Sequence, residues 1–99
     1  ALEANDFAAG CPIAAAALGR DEASAAADAA GASFTGWVSA LTRIAKESGL
    51  SDAEAAEELA TTIVATVEGA LIMSMAKRSA EPLRRSGRCL TELVRAKLG

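Results

Sequence analysis

The chain has 99 residues, of which 52% are hydrophobic and 23% are charged, a composition that excludes a disordered tail and fits one folded domain. Its net charge of −3 and isoelectric point near 4.9 exclude the basic surface that would drive binding to DNA phosphates. Histidine and tyrosine are absent, so we expect no enzyme activity, catalytic residue, metal site or cofactor.

Two short helices are predicted at the start of the chain. The first covers about residues 2–8 and ends before Gly10. The second begins at Pro12, because proline at the first helical position sacrifices no hydrogen bond, and it ends at Gly19. No segment of the sequence alternates in the way a β-strand does, so the expected class is all-α.

The third predicted helix is long and runs from Glu22 to Ser48. Asp21 is placed to cap its first turn. Gly49 is placed to end the helix in a left-handed conformation, which glycine adopts at no steric cost. This helix is therefore predicted to span about 40 Å.

The fourth and fifth predicted helices complete the set. Ser51 and Glu54 match an S-x-x-E capping box, in which each side chain accepts a hydrogen bond from the other residue's backbone amide. From this start the fourth helix extends to about Arg78. Pro82 then opens the fifth helix, which continues to the C-terminus. The sequence thus predicts a bundle of about five helices.

Bulky apolar residues on these helices allow two interpretations. One is that Phe34 and Trp37, one helical turn apart, simply pack in the core. The other is that they belong to the wall of a cavity for a small apolar or aromatic molecule, because ligand pockets are mostly apolar. The residues that would line this cavity are Phe7, Phe34, Trp37, Leu41, Val64, Val67 and Met73.

The apolar stripes of the last two helices are too wide for one neighbouring helix to cover. Two-fold pairing of these helices from two copies would bury the stripes in a four-helix bundle. A monomeric bundle that buries them internally is the alternative. Gly69 and Gly87 lie beside the stripes, and we expect another backbone to pack closely there. The predicted interface residues are Leu59, Ile63, Ala70, Leu71, Ser74, Leu83, Gly87, Leu90, Leu93 and Val94.

Glu68 is the one charged residue in a long apolar run of the fourth predicted helix. A buried carboxylate requires a cationic or hydrogen-bonding partner, and the candidates are Arg84, Arg85 and Arg88. An ion pair or a water-facing position is the favoured interpretation of Glu68. A role in recognising a ligand is the alternative.

Other sequence features bear on where the protein works. Cys11 and Cys89 lie far apart and outside any CxxC pair, which predicts free thiols in a reducing cytoplasm. The start at Ala1, without an initiator methionine, predicts a segment cut from a longer chain. Residues 59–76 are apolar, but Glu68 and several hydroxyl side chains interrupt them, which argues against a membrane span.

The order of several motifs resembles a known family. The motifs are "GCPIAAAAL" after a short helix, "F..W" on the next long helix, the S-x-x-E-A opening, "TTIVATVEGALIMSMAKR" and "EPLRRSGRCLTELV". Together they resemble the C-terminal regulatory domain of TetR-family transcriptional regulators, and in particular its LmrA/YxaF-like branch. The likeness extends from about Phe7 to Leu98.

The resemblance implies a specific function. It implies that residues 1–99 form a ligand-binding domain that makes a homodimer through its last two helices, in a four-helix bundle. It also implies a cytoplasmic repressor-type protein that senses a small molecule and contacts DNA only through an N-terminal helix-turn-helix domain missing from this chain. The alternative is an alanine-rich helical interaction module without a ligand pocket.

Overall fold

The computed structural model of the protein describes residues 24–99, and these residues form three helices and no strand. The helices are α1 (Ser24–Glu47), α2 (Ala53–Lys77) and α3 (Glu81–Leu98). The predicted all-α class is confirmed for this part of the chain. The two short helices expected before Gly19, the Asp21 cap, Phe7 and Cys11 lie outside the described residues.

The end of α1 has the predicted glycine termination. The Leu50 amide donates to the Ala45 carbonyl at 3.0 Å, and the Gly49 amide donates to the Lys46 carbonyl at 3.3 Å. This pair of bonds is a Schellman motif, which satisfies carbonyl groups that the helix itself leaves without donors. Gly49 has a φ of +120°, a region that side chains disfavour, so a glycine is required at this position.

The cap of α2 differs from the predicted one. The N-cap residue is Asp52, whose carboxylate accepts a hydrogen bond from the Ala55 amide at 2.9 Å. The prediction of a Ser51–Glu54 capping box was therefore wrong by one residue. With Asp52 as the N-cap, the third helical position holds Ala55, whose side chain cannot accept a hydrogen bond from the N-cap amide. A carboxylate at the cap also interacts favourably with the positive end of the helix dipole, which a serine hydroxyl does less well.

This assignment makes a direct prediction about stability. We expect Asp52→Ala to lower the free energy of unfolding by about 1 kcal/mol, the usual cost of losing an N-cap. Ser51→Ala, which removes a polar group from the preceding exposed residue, should change it by less than about 0.5 kcal/mol. Urea denaturation of both variants measures the difference. A larger loss for Ser51→Ala would contradict the cap assigned to Asp52.

The turn between α2 and α3 is short and held by serine hydroxyls. Arg78 ends α2 in a left-handed conformation, and the Ser79 amide donates to the Ser74 carbonyl at 3.0 Å. At the start of α3, the Glu81 amide donates to Ser79 Oγ at 3.1 Å, and the Leu83 amide donates to Ser74 Oγ at 3.3 Å. Pro82, between them, has no amide hydrogen to satisfy. The two serines thus cap α3 and fix its direction relative to α2.

Helix α2 is the central element, and α1 and α3 both pack against it. Leu59 is the only large aliphatic side chain among the described residues that is buried, at 4% exposure. It lies in a core cluster with Ala45 and Ala56, against which Leu50, Ile63, Leu93, Val94 and Leu98 pack. The other buried apolar residues are Ala30, Ala60 and Ala70. Alanines allow close helix approach but fill little volume, so this core is small.

The shape of the described part of the chain agrees with a small core. Its principal-axis extents are 45 × 31 × 13 Å. The shortest of these is close to the diameter of one helix with its side chains, about 10–12 Å. The central helix α2 therefore has neighbours on two sides and leaves apolar surface on its faces.

Helix α2 has the length and composition of a membrane-spanning helix, the one such helix in the described residues. Its position between α1 and α3 accounts for part of this apolar character, since 22% of its most apolar 18 residues are buried there.

Candidate effector site

An open groove of about 470 Å³ lies between α1 and α2. We call it the Trp37 groove. Helix α1 supplies Trp37, Ala40 and Leu41, and helix α2 supplies the rest of the lining, which is Ile63, Val64, Val67 and Glu68. Six of these seven side chains are apolar, which is the composition expected of a site for an apolar small molecule.

Trp37 is the main aromatic surface of this groove. Its side chain is 41% exposed, although tryptophan is a residue that usually packs. The ring of Phe34 lies edge-on to it, with a centroid distance of 5.5 Å and an interplanar angle of 84°. This T-shaped contact is a favoured aromatic geometry and holds the indole in place while part of it remains accessible.

A second, smaller groove of about 290 Å³ also lies between α1 and α2. We call it the Phe34 groove. Its lining consists of Phe34, Val38, Thr61, Val64, Ala65 and Glu68. Val64 and Glu68, one turn apart on α2, therefore line both grooves. Among the described residues, Glu68 is the only charged one that lines either of them.

A third groove, of about 660 Å³, is larger but polar, and we call it the polar groove. It contains hydroxyl groups and two charges of each sign, all of them on the C-terminal half of α1 except Glu57 of α2. Its lining residues are Phe34, Thr35, Val38, Ser39, Thr42, Arg43, Lys46, Glu47 and Glu57. The Thr42 hydroxyl donates to the Val38 carbonyl at 2.6 Å, so it is already satisfied within the helix. This wall resembles an ordinary hydrated surface more than a site for an apolar ligand.

Comparison with known proteins identifies the family. Residues 1–89 match the family described as the LmrA/YxaF-like C-terminal domain of transcriptional regulators, a TetR-type domain. The chain belongs to this family of TetR-type regulatory domains. No curated protein and no solved structure matches it. The matched range contains every residue of the three grooves.

The structure of this TetR-type domain brings together four of the seven residues predicted to line an effector cavity. Trp37, Leu41, Val64 and Val67 all line the Trp37 groove. Phe34 lines the Phe34 groove and contacts Trp37. Met73 is 53% exposed and lines none of the three grooves.

Sequence reasoning missed two important members of the Trp37 groove. Ile63 was assigned to the dimer interface, and for Glu68 an ion pair or a water-facing position was favoured over a role in recognising a ligand. The signal for Glu68 was its position one turn after Val64, which places both on one face of α2. Arg84 and Arg85 have Glu81 as a carboxylate partner, at 3.3 and 3.8 Å.

Several residues predicted at a dimer interface are used inside the chain. Leu59, Ala70 and Ser74 are 4%, 3% and 8% exposed, so they have almost no surface to offer a second copy. Leu93 and Val94, like Ile63, pack on the core cluster. The reason is that α2 and α3 of one copy already bury their facing stripes against each other.

The rest of the predicted interface remains accessible to different degrees. Leu83 is 37% exposed and Gly87 is exposed, whereas Leu71 and Leu90 are half-buried. The close backbone contacts expected at Gly69 and Gly87 do not occur among residues 24–99, since a Cβ added at either position would meet no atom of these residues within 4 Å. The small side chains there leave open space at the surface of the domain.

No group of three or more histidine, cysteine, aspartate or glutamate side chains in residues 24–99 could hold a metal ion. Cys89 is exposed on α3 as a free thiol. The Trp37 groove offers apolar contacts for binding in the described part of the domain.

Proposed function

We propose that this chain is the effector-sensing and homodimerising part of a TetR-type transcriptional regulator, and that the Trp37 groove receives a small apolar or aromatic effector. The observation that carries the proposal is the groove itself: an exposed tryptophan and five apolar side chains from two helices around about 470 Å³. That volume lies in the usual range for small-molecule sites, about 300–1,000 Å³. Membership of a TetR-type regulatory family supports the same function.

The groove suggests how binding would act on the rest of a regulator. Its two walls belong to α1 and α2, so an effector between them would favour one spacing of these helices over another. A ligand shifts a conformational equilibrium only by its difference in affinity for the two states. In the proposed regulator, that difference would change the affinity of an N-terminal helix-turn-helix domain for DNA.

The proposed dimer contact uses the apolar residues of α2 and α3 that the single chain leaves accessible. Leu83 and Gly87 on α3, with the half-buried Leu71 and Leu90, form this surface. A small core supports the need for a partner, because little apolar area is buried within one copy. The flanking arginines Arg84 and Arg85 would lie at the rim, where exposed charges contribute little affinity.

The effector site is tested through the tryptophan. Trp37 is the only tryptophan of the chain and tyrosine is absent, so intrinsic fluorescence reports directly on the Trp37 groove. We expect a neutral apolar dye such as Nile red to change this fluorescence in a saturable way. Val67→Gln should weaken binding about tenfold, because it places a polar group in the apolar wall.

Met73→Gln is the matched control, because Met73 is on the same helix, similarly exposed and outside the grooves. It should leave the affinity unchanged. No saturable binding, or an equal loss in both variants, would overturn the effector site and favour an interaction module without a pocket.

The dimer is tested by mass measurement with light scattering at high micromolar concentration. We expect a dimer for the unaltered chain, and a dissociation constant raised roughly thirtyfold or more for Leu83→Glu, as for an interface hot spot. Ile44→Glu places the same charge at a more exposed residue of α1, at 51%, and should leave the dimer intact. A monomeric unaltered chain would contradict the proposal.

A further inference from the structure

The cationic residues of the chain are concentrated near its C-terminal end. Residues 77–99 contain seven cationic and two acidic side chains, a net charge of +5, whereas residues 1–76 contain three and eleven, a net charge of −8. The overall charge of −3 therefore conceals a basic region that consists mainly of helix α3. Because salt screens exposed charges more than about 10 Å apart, this region acts on a nearby partner through its own charge.

Three arginines of α3 share one exposed side of the helix, and we call them the arginine stripe. They are Arg84, Arg88 and Arg95, at intervals of four and seven residues that return to nearly the same side of an α-helix. All three are exposed, and Leu93, which packs on the core cluster, lies on the opposite side of α3. At 1.5 Å per residue, the stripe extends over about 16 Å.

The arginine stripe has little compensating charge among the described residues. Glu81 pairs with Arg84 at 3.3 Å, but both side chains are exposed to solvent, so this pair contributes little. Arg88 and Arg95 form no ion pair with another described residue. Glu92, the other acidic residue of α3, lies one helical turn from each of them and pairs with neither. The guanidinium groups of Arg88 and Arg95 are therefore available to an anionic partner.

The chemistry of the stripe fits carboxylates or phosphates, because a guanidinium group donates two parallel hydrogen bonds to either anion. Its surroundings favour a short acidic segment over an extended polyanion such as a nucleic acid or a membrane surface. Helix α3 ends beside the α1–α2 turn, where the Leu98 carbonyl is 4.0 Å from the position of a Cβ at Gly49. Glu54 and Glu57, exposed at the start of α2, would repel a polyanion that continued past Arg95.

We propose that the arginine stripe is a docking surface for a short acidic peptide segment of a partner protein. Carboxylates of this segment pair with Arg88 and Arg95, and compete with Glu81 for Arg84. The length of the stripe limits the contact to about five residues of an extended segment or about three turns of a helix. The surface goes beyond the proposed function, since it lies outside the Trp37 groove and beside the proposed dimer contact.

The test uses a labelled oligoglutamate peptide and the full 99-residue chain, with fluorescence anisotropy as the readout. We expect saturable binding that added salt weakens, and no binding of the matching oligoglutamine. Replacing both Arg88 and Arg95 with glutamine should raise the dissociation constant at least about tenfold, because charge-assisted hydrogen bonds to the peptide are lost at two positions.

The matched control replaces both Arg43 and Lys46 with glutamine, which removes the same charge from exposed residues of α1. It should change the dissociation constant by less than about twofold. Both double variants should keep the helical circular dichroism of the unaltered chain, since all four substituted side chains are exposed.

The proposal is overturned if oligoglutamate does not bind saturably, or if both double variants lose affinity equally. It is also overturned if a short DNA duplex or phosphatidylserine vesicles bind more tightly than oligoglutamate. This last comparison uses only the unaltered chain, so it does not depend on a variant that folds. None of these results bears on Nile red binding, so the effector site is judged separately.

Discussion

Replacing Leu59 with alanine is expected to lower the free energy of unfolding by about 3 kcal/mol. Leu59 is 4% exposed and lies at the centre of the cluster where all three helices meet. Its neighbours Ala45 and Ala56 are too small to fill the space left by the lost atoms, so a cavity should remain. Thermal denaturation should show a melting temperature lower by roughly 10 to 20 °C for a domain of this size.

Met73→Ala serves as the control for Leu59→Ala. The Met73 side chain is 53% exposed on the same helix, so its truncation should change the free energy of unfolding by less than about 1 kcal/mol. The effect of Leu59→Ala should also stay the same across protein concentrations. An effect that appears only at high concentration would mean that Leu59 lies in a contact between copies, as the sequence pattern indicated.

Enlarging Ala56 tests the same junction from the opposite direction. Ala56 has no exposed surface and contacts the cluster that contains Leu59. We expect Ala56→Leu to lower the free energy of unfolding by about 2 kcal/mol, because the extra methyl and methylene groups must push the helices apart. Chemical denaturation of the purified variant measures this loss.

Ala76→Leu makes the same substitution at an exposed position of the same helix. It should be tolerated, with a change of less than about 0.5 kcal/mol, since leucine and alanine are both good helix formers. Equal stability of Ala56→Leu and Ala76→Leu would show that the junction of the three helices is looser than its burial indicates.

The stability and binding predictions concern different parts of the domain. The Leu59 cluster joins the end of α1, the start of α2 and the end of α3. The Trp37 groove lies further along α2, at Ile63, Val64, Val67 and Glu68. Ile63 belongs to both, since it packs on the cluster and lines the groove. Substitutions at Val67 are therefore expected to alter binding with little effect on stability.

Local sequence signals predicted the helices well because helix formation and termination depend on residues within about one turn. The glycine after α1 is required by the positive φ at Gly49, and the end of α2 falls within one residue of the predicted one. The start of α2 shows the limit of such signals. Ser51 and Asp52 are both good caps, and a one-residue difference in where the helix begins decides between them.

The helical pattern of apolar residues predicted their location in the core, the groove or an interface less well than it predicted the helices themselves. A helical stripe shows which residues share a face, but it does not identify the element that covers that face. Leu59, Ala70 and Ser74 share stripes with residues that remain accessible, and burial within the chain separates them. Ser74 illustrates this most clearly, since its hydroxyl caps α3 across a turn and is not part of an apolar contact.

Composition and local pattern therefore sufficed for the all-helical class and approximate helix limits of the described residues, and for the likeness to TetR-type regulatory domains. The tertiary structure alone revealed which stripe of α2 faces α1 and which faces α3, and so it placed Trp37 and Glu68 in one groove. The physical reason is the separation along the chain over which each interaction acts. Capping and helix propensity act between neighbours in the chain, whereas the groove joins residues about 30 positions apart that meet only when two helices pack.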